Sequence, residues 1–474
     1  MQMTQNRLET DIVIIGSGAG GAAIAGELAR NGRTTMIVEA GPKRTDPAGS
    51  HVRNNTPSES QLPNIGLLLE DALVFPGLVE EAPGDITDWK VIYGIGGMFS
   101  YWACNCPTPH DAELSTCLSV EDWRALFDRV RELLGISTAL GDGSARGGRI
   151  IDCLKRTVTG LPSDRGVQSM PVAATRSGSE VHFASTDNLL GFEYPSDNVA
   201  LFSSHIAKKI NFTGARATGV IVQPRGDGDP VEISANVVVV AAGTAGTPQL
   251  LAGSRVDAGL ALGSYVFDHP AIGSRVVLRP EILDGVTSDD PQFTVWIPYS
   301  PDRPWHNQVC RFPSNPGAVE LTVDQQETGD IFTFSSMDVT PENRLEFLLD
   351  QKDELGLPRI RGHYRLSPDD YACMGAGLNE HFQMASAIGD LINYRWAPNF
   401  FGPGWSTHFM GGCRMGAADD GTSVVSPSGR LWRYDNIYIA GNSVHAVSNA
   451  GNPTMTTIAF ALHTADSILK SHPE

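Results

Sequence analysis

The run Asp11-Ile12-Val13-Ile14-Ile15-Gly16-Ser17-Gly18-Ala19-Gly20-Gly21 decides the fold of this 474-residue chain. Its first part is an apolar segment of the kind found in parallel strands, and the glycine turn that follows opens an alanine-rich helix. A second apolar segment, Thr35 to Val38, ends at the acidic residue Glu39. The order strand, glycine turn, helix, strand, acid predicts a Rossmann-like dinucleotide-binding unit.

Each part of this pattern has a physical role. Gly16, Gly18 and Gly21 permit a tight turn and let the backbone approach a pyrophosphate, whose charge the helix N-terminus stabilises. Glu39 is expected to accept hydrogen bonds from the ribose hydroxyls of an adenosine. Because an acid at this position disfavours a ribose 2′-phosphate, FAD or NAD is expected rather than NADP.

Later segments return to the same sheet pattern. Residues Asn236 to Ala242 predict a buried valine-rich strand, followed by a glycine turn and a helix. Ala200 to Phe212 and Ala217 to Val222 are predicted to be strands of a hairpin-rich insert. Asn436 to Gly441 adds one more strand, and Pro453 to Leu469 is predicted to be an amphipathic helix. The nucleotide-binding domain is therefore discontinuous in sequence and is closed by the C-terminal segment.

The predicted fold class is α/β, with a second domain of α+β character. Gly273 to Leu278 and Ile331 to Asp338 alternate with period two, which predicts a mixed or antiparallel sheet flanked by helices in that second domain. The predicted nucleotide-binding domain comprises residues 1–50, 85–114, 196–255 and 405–474. The predicted second domain, for the substrate, comprises residues 115–195 and 256–404, and residues 51–84 are an irregular segment that covers the cofactor.

Composition and charge exclude several classes of protein. The length and a hydrophobic content of 41% are sufficient for two buried cores. A net charge of −19 argues against nucleic acid or an anionic membrane as a partner. No apolar run approaches the roughly 20 residues that span a bilayer, and no hydrophobic signal core precedes the first strand, so a cytoplasmic protein is expected. Cys104 and Cys106 lack the second ligand pair that zinc needs, so no metal is predicted.

Two residues near the C-terminus have side chains suited to the chemistry of an alcohol. His408 opens the run His408-Phe409-Met410-Gly411-Gly412-Cys413-Arg414-Met415-Gly416, and Asn452 lies in Gly451-Asn452-Pro453-Thr454. An imidazole and a carboxamide can together receive a hydroxyl proton and hold the resulting alkoxide. The simpler alternatives are a core histidine at 408 and an N-cap at 452 with proline at the first helical position. His445 is a reserve candidate for the base, and it either faces the same ligand or packs beneath it.

Several motifs together resemble the glucose-methanol-choline family of FAD oxidoreductases, and the resemblance covers essentially the whole chain. Within that family the chain is similar to pyranose oxidases and to bacterial C-glycoside 3-oxidases. The motifs that resemble the family are the N-terminal glycine fingerprint, Gly96-Gly97-Met98, Ala241 to Pro248 and His408 to Asp466. The motifs that indicate the branch are Gly96 to Trp102, Ile297 to His306, Asn343-Arg344, Tyr364 to Pro368 and His408 to Gly416.

The resemblance implies FAD-dependent oxidation of a secondary hydroxyl, at C2 or C3 of a pyranose sugar or glycoside, to a keto sugar. His408 would be the base, Asn452 would orient the oxygen, hydride would pass to flavin N5 and O2 would be reduced to H2O2. Two alternatives stay open. One is a FAD-dependent dehydrogenase of another alcohol with a quinone or a protein as acceptor, and the other is a non-redox flavin-binding lyase of the same fold.

The resemblance also implies how the cofactor is held. Tyr101 stands where fungal pyranose oxidases have the histidine that is bonded to the flavin, so noncovalent FAD is expected. Ala103 replaces a threonine near the flavin edge, which leaves O2 and another electron acceptor both open. The chain is shorter than the fungal enzymes, so a monomer or small homo-oligomer is expected. The residues expected to contact FAD are Gly16, Gly18, Gly21, Glu39, Gly96, Gly97, Met98, Tyr101, Trp102, Ala103, Ala242, Gly243, Gly441, Asn442, Asn452, Pro453 and Thr454.

Candidates for contact with the sugar come from the second domain and the C-terminal segment. Trp305-His306 offers an aromatic face and Arg311 a guanidinium, and stacking in the core is an equal alternative for them. His445 is included because it lies seven residues before Asn452. Phe312 to Ala318 resembles the loop that covers the substrate in this branch, although it also fits an ordinary connection.

Overall fold

The fold is built around two β-sheets that both contribute to one cavity. The computed structural model describes residues 7–55, 73–80, 82, 85–178, 180–191, 198–287, 289–310, 327–392 and 399–473. Arg311 and the predicted covering loop, Phe312 to Ala318, lie outside these residues. In sheet order, the strands of the first sheet are Val199–Phe202, Thr35–Val38, Arg7–Ile15, Val231–Val240, Arg216–Pro224 and His205–Thr213, and Ile437–Ile439 also pairs with Val231–Val240.

The parallel part of the first sheet contains the glycine turn. Strand Arg7–Ile15 pairs in parallel with strands on both sides, and its second half is fully buried. Helix Ala19–Arg30 follows the turn and buries most of its glycine and alanine residues. A Cβ at Gly21 would lie 2.0 Å from the carbonyl oxygen of Gly16. Glycine at 21 is therefore needed for the helix to pack directly against the turn.

The predicted hairpin insert is wrong in one respect, because residues 200 to 212 do not form a single strand. Val199–Phe202 pairs in parallel with Thr35–Val38 and extends the sheet at its edge. The chain then turns at Ser204, which has a positive φ of 56°. The hairpin itself consists of His205–Thr213 and Arg216–Pro224. The sequence analysis missed this break, because the partner of a strand depends on tertiary packing as well as on its own residues.

The second sheet is antiparallel, as predicted. In sheet order its strands are Gly389–Leu391, Ala271–Leu278, Thr328–Ser335, Trp305–Cys310, Thr294–Ile297 and Gln168–Ser169, and Asn399–Phe401 also pairs with Ala271–Leu278. Helix Pro368–Ile388 packs against one face of this sheet. The opposite face lines the cavity.

Further elements surround the two sheets. The other helices are Val120–Leu134, Ala139–Asp142, Ala145–Thr157, Thr186–Leu190, Gly243–Gly253, Pro280–Leu283 and Thr454–Ser471. The short 3-10 helices are Val52–Asn55, Gly97–Ser100, Asp111–Glu113 and Asn442–Val444. The remaining strands are Leu73–Val74, Leu78–Val79, Lys90–Val91, Ile136–Ser137, Val172–Ser177, Glu180–Phe183, Arg344–Lys352 and Pro358–His363.

The domain boundaries given above stay a prediction. Residues 115–195 contribute to both parts of the molecule, because helix Val120–Leu134 packs against helix Thr454–Ser471 whereas Gln168–Ser169 joins the second sheet. Within the part of the chain that the structure describes, no helix has both the length and the apolar character needed to cross a membrane.

Candidate active site

A cavity of about 590 Å³ lies between the carboxyl ends of the parallel strands and one face of the second sheet. Its volume is in the usual range for sites that enclose a small molecule. Two predicted cofactor residues, Gly21 and Gly96, do not line the cavity and pack behind residues that do. Gly21 packs on Gly16, and the N–H of Gly96 donates to Ser17 Oγ at 2.9 Å. The predicted cofactor residues that line the cavity are Gly16, Gly18, Glu39, Gly97, Met98, Tyr101, Trp102, Ala103, Ala242, Gly243, Gly441, Asn442, Asn452, Pro453 and Thr454.

Glu39 is tied to the glycine turn. Its Oε2 accepts hydrogen bonds from Ser17 Oγ at 2.7 Å and from the Ser17 N–H at 3.2 Å, and its Oε1 accepts from the Gly41 N–H at 2.8 Å. Burial raises the pKa of Glu39, whereas these hydrogen bonds oppose that rise. The carboxylate therefore fixes the turn in addition to facing the cavity, which the sequence pattern alone does not indicate.

Helix N-termini provide the fit to an anionic dinucleotide. Helix Ala19–Arg30 begins at Gly18 without a side chain that caps it, and helix Thr454–Ser471 begins at Pro453, also uncapped. Both ends line the cavity. Their first N–H groups have no partner within the helix and carry partial positive charge, so they suit the pyrophosphate and the electron-accepting ring of a flavin dinucleotide.

His408 and Asn452 meet at the cavity wall. Asn452 Nδ2 lies 3.4 Å from His408 Nε2, although the two residues come from different segments. Asn452 does not cap the last helix, because the N-cap is Pro453 and the first helical residue is Thr454. The prediction of an N-cap at 452 is therefore wrong, and the amide is available for contacts inside the cavity.

A buried network that the sequence analysis missed holds Asn452. Gln308 Nε2 donates to Asn452 Oδ1 at 2.7 Å, and Asn105 Nδ2 donates to Gln308 Oε1 at 3.0 Å. The amide of Gln308 also lies 2.7 Å from His306 Nε2, and Trp296 Nε1 donates to His306 Nδ1 at 3.0 Å. With its Oδ1 held by Gln308, Asn452 directs its NH2 group towards His408 and the cavity.

A short turn before His408 sets the position of its backbone. Asp268 is buried, and it accepts hydrogen bonds from Ser406 Oγ and, at 2.9 Å, from the Gly404 N–H. Ser406 Oγ in turn accepts from the His408 N–H at 3.0 Å. Thr407 has a positive φ of 59°, which lets the chain reverse at this point. Asp268 thus anchors the segment that presents the imidazole.

Burial keeps the imidazole of His408 neutral. It lowers the pKa of His408 to about 4, because the charged ring would be poorly solvated. The Nδ1 atom is enclosed and has no hydrogen-bond partner among the described residues. His269 meets the ring edge-on, with centroids 5.1 Å apart, and burial lowers the pKa of His269 as well. At neutral pH the ring is therefore in the form that accepts a proton.

Two further candidates among the described residues, Trp305 and His445, do not line the cavity. Trp305 Nε1 donates to Glu380 Oε1 at 3.1 Å on helix Pro368–Ile388, so its side chain faces away. His445 Nε2 lies 2.8 Å from Thr457 Oγ1 and is buried beneath the last helix. The alternation along strand Trp305–Cys310 could have pointed to His306 and Gln308 instead of Trp305. These two residues lie on the face of the strand opposite Trp305.

Three family models match separate parts of the chain. Models described as GMC oxidoreductase match residues 117–279 and 341–461, and a model described as FAD binding domain matches residues 11–52. The chain belongs to the GMC oxidoreductase family. FAD is the cofactor that these matches and the cavity indicate.

Named relatives cover nearly all of the chain. A C-glycoside 3-oxidase of Microbacterium trichothecenolyticum is 30% identical, over 97% of this chain and 97% of the relative. A pyranose 2-oxidase of Tricholoma matsutake is 26% identical, over 97% and 93% of the two chains. The crystal structure of pyridoxine 4-oxidase from Mesorbium loti matches with a TM-score of 0.69 at 16% identity, covering 98% of this chain and 100% of the other, which shows the shared fold.

Proposed function

We propose that this GMC oxidoreductase oxidises a secondary hydroxyl, at C2 or C3 of a pyranose sugar or glycoside, to a keto sugar, with O2 reduced to H2O2. The observation that carries the proposal is the approach of His408 and Asn452, 3.4 Å apart, at the wall of the cavity that contains the glycine turn. The names of the relatives, glycoside and pyranose oxidases, support the choice of substrate.

In the proposed mechanism the substrate oxygen lies between the two side chains. The neutral His408 Nε2 accepts the hydroxyl proton, and the NH2 group of Asn452 donates a hydrogen bond to the same oxygen as negative charge develops on it. When bound, FAD supplies the acceptor for the hydride that leaves the carbon. Gln308 keeps Asn452 in the donating orientation, because it occupies Oδ1. Both side chains act in their neutral forms.

We also propose that FAD is held without a covalent bond. Tyr101 lines the cavity at the position where the related fungal enzymes have the attaching histidine, so the imidazole that forms that bond is absent from this chain. Acid precipitation tests this directly. Flavin released into the supernatant supports noncovalent binding, and flavin that stays with the precipitated chain contradicts it.

The test of the function is an anaerobic flavin-reduction screen over free pyranoses, O-glycosides and C-glycosides, with the keto position assigned by NMR. His408→Ala is expected to keep bound FAD and to lower the reduction rate about 10²- to 10⁴-fold, the usual contribution of a general base. His182→Ala is the matched control, because His182 is exposed on strand Glu180–Phe183. An unchanged rate in His408→Ala would remove His408 from the mechanism.

The same screen separates the alternatives. Hydrogen peroxide formed in equal amount to the keto sugar in air supports the oxidase. Reduction by an alcohol without peroxide favours a dehydrogenase that uses a quinone or protein acceptor. If no alcohol bleaches the flavin, the non-redox lyase is favoured and the proposed oxidation is rejected.

A further inference from the structure

The cavity extends well beyond the catalytic pair along two strands of the second sheet. Strands Ala271–Leu278 and Thr328–Ser335 are antiparallel, and alternate side chains on one face point into the cavity. The cross-strand pairs that share this face are Ala271 with Phe334, Gly273 with Phe332, and Arg275 with Asp330. The face therefore changes in character along its length, from aromatic to charged.

The catalytic end is at Phe334. Its ring centroid lies 6.2 Å from that of His408. Asp330 precedes Phe334 by four positions on the same strand, which corresponds to about 13 Å at the usual rise of a β-strand. A single sugar ring held at His408 does not extend over that length. The region around Arg275 and Asp330 is therefore an outer compartment, defined by these two residues together with Phe332 and Trp405.

An aromatic shelf connects the two ends. The rings of Phe401 and Trp405 are stacked, with centroids 3.5 Å apart and planes 2° apart, and the Phe332 ring lies 5.5 Å from Trp405. Gly273 makes room for this arrangement, because a Cβ there would lie 2.5 Å from Phe401 Cε2. Phe332, Phe401 and Trp405 all line the cavity, and such surfaces bind flat rings through stacking and burial of apolar area.

A bidentate ion pair lines the outer compartment. Arg275 Nε donates to Asp330 Oδ1 at 2.6 Å, and Arg275 Nη2 donates to Asp330 Oδ2 at 2.9 Å. Both side chains line the cavity, and only about a tenth of each is exposed (10% and 11%). A guanidinium has five N–H donors and a carboxylate has about four acceptor sites, so the pair can offer donors and acceptors to a hydroxyl group together.

We propose that the outer compartment binds the anomeric substituent of a glycoside substrate, and that this substituent is a flat ring that bears hydroxyl groups. The ring lies on the aromatic shelf of Phe332, Phe401 and Trp405, and its hydroxyls bind Arg275 and Asp330. This inference rests on the proposed function. It assigns Arg275 and Asp330 as residues that determine which glycosides are preferred, separate from the pair that acts on the hydroxyl.

Three glucosides test the proposal with the FAD-loaded enzyme. Methyl, phenyl and 4-hydroxyphenyl glucopyranosides are compared by anaerobic stopped-flow reduction, which gives the substrate dissociation constant and the limiting rate for each. We expect the wild type to favour the 4-hydroxyphenyl over the phenyl compound by about 10- to 100-fold in rate constant over dissociation constant, as hydrogen bonds to charged groups provide. In the double variant Arg275→Leu with Asp330→Leu this preference is expected to disappear.

The shelf and the controls are tested separately. Trp405→Ala is expected to reduce the preference for the phenyl over the methyl compound about tenfold, since it removes the stacking surface. Asp330→Asn keeps the shape of the side chain and is expected to weaken the preference for the 4-hydroxyphenyl over the phenyl compound. This single variant keeps the inference testable if the double variant does not fold. The matched control is Arg129→Leu with Asp466→Leu, another bidentate pair that does not line the cavity.

The outcomes separate this inference from the proposed function. The inference is overturned if the wild type oxidises methyl glucopyranoside but reacts equally well with the phenyl and the 4-hydroxyphenyl compounds. It is also overturned if the Arg275 and Asp330 variants slow all three glucosides in equal proportion, because the pair then has only a structural role. If no glycoside or free sugar reduces the flavin, the proposed function itself fails. Loss of the hydroxyl preference in the variants, with the control pair unaffected, supports the inference.

Discussion

The orientation of Asn452 depends on Gln308, and replacing that glutamine is the sharpest test of the proposed site. Gln308 Nε2 donates to Asn452 Oδ1 at 2.7 Å, and Gln308 is only 3% exposed. Gln308→Met keeps a similar volume and removes the donor. A buried acceptor left without its partner costs about 1–3 kcal/mol. Since about 1.4 kcal/mol corresponds to a tenfold change in rate, the limiting rate of flavin reduction is expected to fall about 10- to 100-fold.

A second variant at the same position separates orientation from packing. Gln308→Glu introduces an acceptor where the donor was, so the Asn452 NH2 group turns towards the new carboxylate and its oxygen faces the substrate. We expect a larger loss than for methionine at neutral pH. As the pH falls through the pKa of the introduced carboxyl, its O–H can donate to Asn452 Oδ1, and part of the rate should return. A purely structural role does not predict this recovery.

The assay is anaerobic stopped-flow reduction at several pH values, with bound FAD and Tm measured for each variant. Gln223→Met is the control for the substitution itself, because Gln223 lies outside the cavity and bonds the exposed turn at Gly228. If both Gln308 variants fold, bind FAD and keep limiting rates within about twofold of the wild type, the role of Gln308 in orienting Asn452 is refuted.

Three further predictions follow from the geometry. Because burial lowers the pKa of His408 to about 4 and the neutral ring is the active base, the reduction rate should stay level from pH 8 to about 5 and decline below that, and a midpoint near the ordinary histidine value of about 6.5 would contradict this. Glu39→Gln removes charge-assisted hydrogen bonds to the glycine turn and should weaken FAD binding about 10- to 100-fold in a flavin-fluorescence titration, whereas unchanged binding would exclude this role. Gly21→Ala places a Cβ 2.0 Å from the Gly16 carbonyl oxygen and should lower the free energy of unfolding by about 1–3 kcal/mol in denaturant titrations. Gly148→Ala is the control, because the space around Gly148 is open, and it should be neutral or slightly stabilising. Equal effects of the two substitutions on the free energy of unfolding would argue against the packing explanation.

The nucleotide-binding turn was predictable because its contacts are local. Gly16 and Gly18 lie in the turn between strand Arg7–Ile15 and helix Ala19–Arg30, and Glu39 directly follows strand Thr35–Val38, so their spacing already determines that they converge. The antiparallel second sheet was predictable for a similar reason. The period-two pattern from Ile331 to Asp338 corresponds to strand Thr328–Ser335, because alternation along a strand separates its two faces.

The same alternation did not reveal which face meets the cavity. Trp305 was chosen for its aromatic side chain, but it faces helix Pro368–Ile388, and His306 and Gln308 face Asn452 instead. A strand buried on both sides carries no mark of which side holds the ligand. The network around Gln308 joins four separate segments of the chain, and no spacing within one segment predicts it.

The sequence by itself determined the dinucleotide unit and the membership in the GMC family, because both are encoded in residue types at short, fixed spacing. It also supplied the two residues that we propose act on the alcohol. Only the tertiary structure decided that the N-cap of the last helix is Pro453 rather than Asn452, and that Gln308 binds the carboxamide of Asn452. It also decided that Arg275 and Asp330 pair with each other beyond the aromatic shelf. These features depend on the packing of distant segments, whose relative positions are set by the whole core rather than by the residues that neighbour them in the chain.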